Sequence, residues 1–169
     1  MTDIKTHHNP LFLREDELRY SIELLFFAYR DFTAEADAIL EKRGLGRAHH
    51  RVIYFVGRSP EITVSELLSI LNITKQSLAR VLNRLVDDGY VMLEQGVSDK
   101  RQRLLSLTDK GYELEKELTD VQKRRFTRAY KTAGFNAVER FLDVMREMLD
   151  EETKPLIRPE RVGSFPPGK

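Results

Sequence analysis

Three cations in four residues, Lys100, Arg101 and Arg103, stand beside Asp99 in the stretch SDKRQRLLSLTDKG, in a chain whose formal net charge is only +1. Ammonium and guanidinium groups this close together suit phosphate oxygens. An arginine on a narrow hairpin tip can also enter a minor groove, whose negative potential attracts it. Asp99, two residues before Arg101, is placed to hold that guanidinium in a planar bidentate geometry. Lys100 and Arg103 would then touch backbone phosphates. Charged hairpin tips also serve solubility, and edge strands carry Lys and Arg against aggregation.

A second constellation lies upstream in KQSLARVLNRLVDDG. Leu78, Val81, Leu82 and Leu85 recur at i, i+3, i+4 and i+7, so they form one apolar face of a helix. At about 100° per residue, Gln76, Arg80, Asn83 and Asp87 fall on the opposite face. Lys75 and Ser77 flank it in the first turn, and Arg84 lies to one side. Arg pairs with guanine edges and Gln or Asn with adenine edges in a major groove. The first turn, Thr74 to Ser77, has free amides for phosphate oxygens. Asp87 near the far end would repel phosphate. A solvated helix face carries the same residue types, so the neighbouring elements must decide.

Those elements can be read in order. Leu18, Ile22, Leu25, Tyr29, Phe32, Ala36 and Ile39 make a heptad stripe within a helix spanning Leu11 to Arg43. RGLG reads as its C-cap and turn. RAHHRVIYFVG is a short, largely buried helix, closed by the breakers Gly57 and Pro60. Thr63 and Glu66 form a capping box for the next helix, Thr63–Asn72, and after a break at Asn72-Ile73 Thr74 is the N-cap of the helix Lys75–Gly89. Two short helices joined by such a turn are a helix-turn-helix unit. YVMLEQ and RLLSL then read as strands of a hairpin whose tip is the basic loop. Thr108 caps a long charged helix reaching about to Tyr130, AGF breaks it, and a last amphipathic helix carries Val138, Phe141, Leu142, Met145, Met148 and Leu149. The expected fold is mainly α: a winged helix-turn-helix with a small antiparallel β-hairpin wing and a helical dimerisation region. The latter comprises residues 11–43 and 112–150, the winged unit 47–111, and an irregular tail 151–169.

Composition excludes several classes. There is no cysteine, so disulfides and thiolate sites are ruled out. The histidines form two adjacent pairs, His7-His8 and His49-His50, and adjacent residues do not share a helix face, so no metal site is expected. No Gly-rich phosphate loop, H-E-x-x-H or G-x-S-x-G motif occurs, which argues against an enzyme and against a cofactor. The longest apolar runs are too short to span a bilayer and no signal-peptide pattern opens the chain, so a cytoplasmic protein without membrane contact is expected.

Asp99-x-Arg101 followed by Leu107-Thr108-x-x-Gly111 resembles the wing signature of MarR-type transcriptional regulators. ELLSILNITKQSLARVLNRLVDDGYV is similar to that family's helix-turn-helix and first wing strand. The likeness extends from Leu11 to Leu149. FLREDELRYSIELLFFAYRDFTAEADAIL and GRAHHR resemble a sub-branch, the PetP- and LdtR-like regulators. The resemblance implies a homodimer in which the first and last two helices interlock across a two-fold axis. It implies double-stranded DNA as partner, with two reading helices ~34 Å apart on a pseudo-palindromic operator. It also implies a small, often aromatic effector between the dimerisation helices and the winged unit. Candidates for that site are Tyr29, Phe32, His49, His50, Arg51, Tyr54 and Phe55, residue types that equally suit a packed core. A winged helix used for protein–protein contact, or for sequence-independent DNA binding, is the rival function.

Overall fold

The computed structural model describes residues 13–96, 99 and 101–157. The chain runs α1 (Glu15–Glu41), α2 (Arg47–Arg58), β1 (Ile62–Thr63), α3 (Val64–Leu71), α4 (Lys75–Asp87), β2 (Val91–Gln95), β3 (Arg103–Leu107), α5 (Asp109–Ala133) and α6 (Phe135–Glu147), with a 3-10 turn at Lys154–Leu156. His7, His8, Lys100, residues 11 and 12, and 158–169 of the tail lie outside the described residues.

Local side-chain chemistry starts three helices. Thr63 accepts from the Glu66 amide at 3.1 Å, and the Glu66 carboxylate accepts from the Thr63 amide at 2.9 Å, closing the capping box of α3. Asn72 then takes φ 49° and ψ 48°, a left-handed conformation that asparagine tolerates well, and turns the chain. Thr74 accepts from the Ser77 amide at 3.1 Å and starts α4. Thr108 accepts from the Gly111 amide at 3.0 Å to start α5, and its hydroxyl donates to the Gly89 carbonyl at 2.7 Å. That one threonine ties the long helix to the turn after α4.

The sheet has three strands in the order β1-β3-β2, all antiparallel. Val91 pairs with Leu107 and Gln95 with Arg103, giving the hairpin expected from sequence. The third strand was not expected. Ile62 and Thr63 pair with Leu105 and Leu104, and two residues are too few to carry an alternation.

The core is built around this sheet. Leu67 of α3, Leu78 and Leu85 of α4, Val52, Ile53 and Val56 of α2, Leu105 of β3 and Leu118 of α5 are all nearly or wholly buried. The apolar face read on α4 therefore does pack inward, with Val81 half-buried. Gly57 does not break α2 as expected; the helix continues to Arg58. A Cβ at Gly57 would lie 2.9 Å from Leu107 Cδ1 and 3.2 Å from Glu115 Cγ, so glycine here lets α2 approach β3 and α5. Gly111 is tighter still: a Cβ would lie 2.1 Å from the Tyr90 carbonyl oxygen.

α1 runs antiparallel to α5. Arg43 pairs with Glu117, Glu35 with Arg125, and the Phe32 ring meets Phe126 at 5.3 Å. Thr33, Ala36 and Leu40 are buried in this contact. The other half of the stripe is not covered: Leu18, Ile22, Leu25 and Tyr29 are 46%, 69%, 47% and 47% exposed. α6 buries no residue at all, and Phe135, Phe141, Met145 and Met148 stand open. Among the described residues, no helix is long and apolar enough to cross a membrane.

Candidate functional site

Two sets of side chains have a geometry that can do chemistry. The first is on α4 and the hairpin. With Leu78, Leu82 and Leu85 buried, Lys75, Gln76, Arg80, Asn83 and Asp87 are left exposed on the far side. Gln76, Arg80 and Asn83 thus offer side-chain donors and acceptors along one accessible helix face. At the helix start, Thr74 donates to Ser77 Oγ at 2.9 Å while accepting from the Ser77 amide. The Ser77 hydroxyl is left with its own proton, a donor beside the free amides of the first turn.

Arg84 is placed differently from its neighbours. Its Nε donates to Asp88 Oδ2 at 2.6 Å. A Cβ on Gly44 would lie 3.6 Å from its guanidinium. It thus sits against the turn between α1 and α2, and that ion pair raises its hold on its proton.

In the hairpin, β2 and β3 close through Gly96 N–H to the Gln102 carbonyl at 3.1 Å. The Asp99 carboxylate accepts from the Arg101 backbone amide at 2.9 Å, closing a local turn. This corrects the expectation that Asp99 grips the Arg101 guanidinium: a carboxylate two residues upstream reaches the amide first. Among the described residues, Arg101 therefore has no ion pair, and its side chain is exposed at the tip. Arg103 is exposed at the start of β3. Lys100 lies outside the described residues.

The second set lines a groove of about 680 Å³ between α1, α2 and α5. Of the residues expected there, Tyr29, Phe32, His50, Arg51, Tyr54 and Phe55 do line it. His49 does not. Its Nδ1 accepts from the Gly46 amide at 3.0 Å, so it caps α2. Burial, with the nearby Arg84 charge, pushes its imidazole below the usual range. Burial also lowers His50, against the opposing pull of Asp37.

Sequence reading missed the α5 wall: Thr119, Gln122, Lys123, Phe126, Thr127 and Tyr130. Thr119, Gln122, Phe126 and Tyr130 recur at steps of three and four, so the signal was a second stripe on a helix that looked merely charged. Thr33, Asp37 and Arg47 were also missed. Arg47 holds Asp37 bidentately, with Nη2 to Oδ2 at 2.7 Å and Nε to Oδ1 at 3.1 Å. Arg51 Nη2 reaches the Tyr29 hydroxyl at 3.5 Å. The aromatic walls interlock edge to face, Phe126 with Tyr130 at 5.3 Å and Tyr54 with Phe55 at 5.2 Å. Such a site suits a small ring carrying one or two polar groups.

Comparison with known proteins agrees with this architecture. A family model described as the MarR family matches residues 43–102. The chain is 51% identical over 140 residues to the HTH-type transcriptional regulator PetP of Rhodobacter capsulatus, across 83% of this chain and 84% of that protein. Among solved structures, NadR in complex with 4-hydroxyphenylacetate superposes with a TM-score of 0.63 at 20% identity, covering 88% of this chain and 97% of that one. An uncharacterized SlyA-like transcription regulator from Listeria monocytogenes superposes at 0.62 with 17% identity, covering 73% and 82% respectively.

Proposed function

The chain belongs to the MarR family of DNA-binding transcriptional regulators, and from that premise we propose that it acts as a homodimer on a pseudo-palindromic operator, with affinity set by a small aromatic ligand. The observation that carries operator binding is the exposed Gln76, Arg80 and Asn83 face of α4, with the Arg101 tip on the hairpin that follows it. The helix reads base edges in a major groove and Arg101 enters the adjacent minor groove. Thr74, Lys75, Ser77, Lys100 and Arg103 serve the phosphates, which fix register without carrying sequence information.

Dimerisation is supported by apolar faces that this chain alone leaves uncovered. Residues 15–31 of α1 are exposed all round, a length of about 25 Å at ~1.5 Å per residue. Contiguous apolar surface of this kind marks an interaction site, and the two-fold mate supplies its cover. Ligand control is supported by the groove. Its aromatic walls and the Arg51 guanidinium suit a ring bearing an anionic group, and the fold neighbour NadR holds 4-hydroxyphenylacetate.

The test is an anisotropy titration of the purified protein against random duplex and against selected genomic fragments at physiological salt. Operator binding gives a specificity ratio of about 10³ or more and a steep salt slope. Equal affinity for every duplex would instead mark a sequence-independent DNA binder. Absence of binding to any duplex would leave a protein-contact module.

A further inference from the structure

Asp88, Gly89 and Tyr90 are the residues that join the reading helix α4 to the first strand of the hairpin carrying Arg101. Each of the three is bonded on both sides. Their amides donate back into α4: Asp88 to the Arg84 carbonyl at 3.0 Å, Gly89 to Val86 at 3.0 Å and Tyr90 to Leu85 at 2.8 Å. Their carbonyls accept from the junction of β3 and α5. Tyr90 accepts from the Thr108 amide at 3.1 Å, Gly89 from the Thr108 hydroxyl at 2.7 Å, and Asp88 from the Lys110 ammonium at 2.6 Å.

Lys110 departs from the local rule. It stands in the first turn of α5, where the helix dipole disfavours a cation. Its ammonium is carried instead to the C-terminal end of α4, where the dipole favours one and the last carbonyls lack helical partners. There it also lies 4.3 Å from the centroid of the Tyr90 ring, and Tyr90 is buried. Thr108 caps α5 as well, so its loss would disturb more than the joint. Lys110 is exposed, and its contacts with Asp88 and Tyr90 both lie in the joint.

We propose that Lys110 is a positioning residue for DNA reading, whose ammonium on the Asp88 carbonyl locks the joint between α4 and the hairpin. The inference rests on the operator reading given above. With the joint locked, base contacts in the major groove and Arg101 in the minor groove are held at one spacing. A loosened joint must be reordered on binding, which costs operator affinity. Sequence-independent binding needs no fixed spacing and is left alone. Lys110 itself serves no phosphate, because its ammonium is committed to the carbonyl.

Anisotropy titration of the full chain and its Lys110 variants tests this, against a selected operator and random duplex over a range of salt. Lys110→Met keeps a stem that covers Tyr90 and removes the cation. It binds the operator about tenfold more weakly, the worth of one charge-assisted hydrogen bond. Its random-duplex affinity and salt slope stay those of the parent. Lys110→Arg restores a cationic donor and recovers most of the loss. One base pair inserted between the bases read by α4 and the step entered by Arg101 costs the parent more than it costs Lys110→Met. Lys110→Gln gives the same pattern and serves where Lys110→Met does not fold. A folded Lys110→Met protein with parental operator affinity and the parental spacing penalty overturns this inference and leaves the operator reading standing. Equal losses on both duplexes, with the salt slope lowered by about one, make Lys110 a phosphate contact and also overturn it. A parent that prefers no duplex overturns the operator reading itself.

Discussion

Arg84 Nε lies 2.6 Å from Asp88 Oδ2, one turn further along α4, and the same guanidinium abuts the turn at Gly44. Arg80, one turn earlier, is exposed on the outer face. Two arginines of one helix thus have different surroundings. Arg80→Ala or Gln76→Ala is expected to relax sequence preference at one or two operator positions, at ~1–3 kcal/mol per lost base contact. Arg84→Ala should leave the pattern of preference unchanged. Titration against single-base operator variants reads both, and an Arg84→Ala protein with altered base preference would contradict the assignment.

Arg101 is exposed, and its backbone amide donates to the Asp99 carboxylate at 2.9 Å. Arg101→Ala should weaken duplex binding and lower the salt slope by about one. Dimer mass and melting temperature should not move, because among the described residues the side chain makes no ion pair and is exposed. Asp99→Ala should also weaken binding, by loosening the turn rather than by removing a contact. Undiminished affinity of Arg101→Ala at physiological salt would refute the wing's role.

The open stripes of α1 and α6 predict the effect of a buried charge. A fully covered Leu or Phe contributes ~1.5–3 kcal/mol relative to its exposed state. Leu25→Glu or Phe141→Asp should therefore raise the dimer dissociation constant at least about tenfold in sedimentation velocity, and operator binding should fall with it. A variant that stays dimeric at nanomolar concentration would place the mate elsewhere.

Acidification should destabilise the fold through the histidines of α2. His49 and His50 are both held below the usual range, chiefly by burial. The unfolded chain then binds protons first as pH falls through about 6.5, so stability is complete above that value and is lost towards the lowered folded values. Asp37 across the groove opposes the shift of His50, and the adjacent Arg51 reinforces it. Denaturant melts between pH 7.5 and 5.5 should show this slope, and His50→Gln should flatten it. An unchanged slope would mean that other groups carry it.

The elements whose information is local were legible in the residues. The Thr63, Thr74 and Thr108 caps each involve partners three residues away, and the leucine spacing of α4 fixes which side faces out. The unforeseen features depend on distant partners. β1 exists because Ile62 meets Leu105, and Gly57 stays helical because Leu107 and Glu115 approach it. The α5 wall of the groove is distant from the α2 wall in sequence, and its Thr119 is oriented by the buried Glu115. Asp99 was assigned the wrong donor, since sequence does not distinguish a guanidinium from the amide next to it.

α5 is one uninterrupted rod of 25 residues, ~37 Å at ~1.5 Å per residue. Its first turn is fastened to the hairpin base by Thr108 and by the close seat of Gly111 under Tyr90, and its later turns form the groove wall. A stiff rod anchored in this way joins the groove wall at Phe126 to the base of the hairpin that carries Arg101. Pivoting by about 3° over ~37 Å displaces an end by ~2 Å, comparable with the reach that separates a seated arginine from one that hangs short of the duplex.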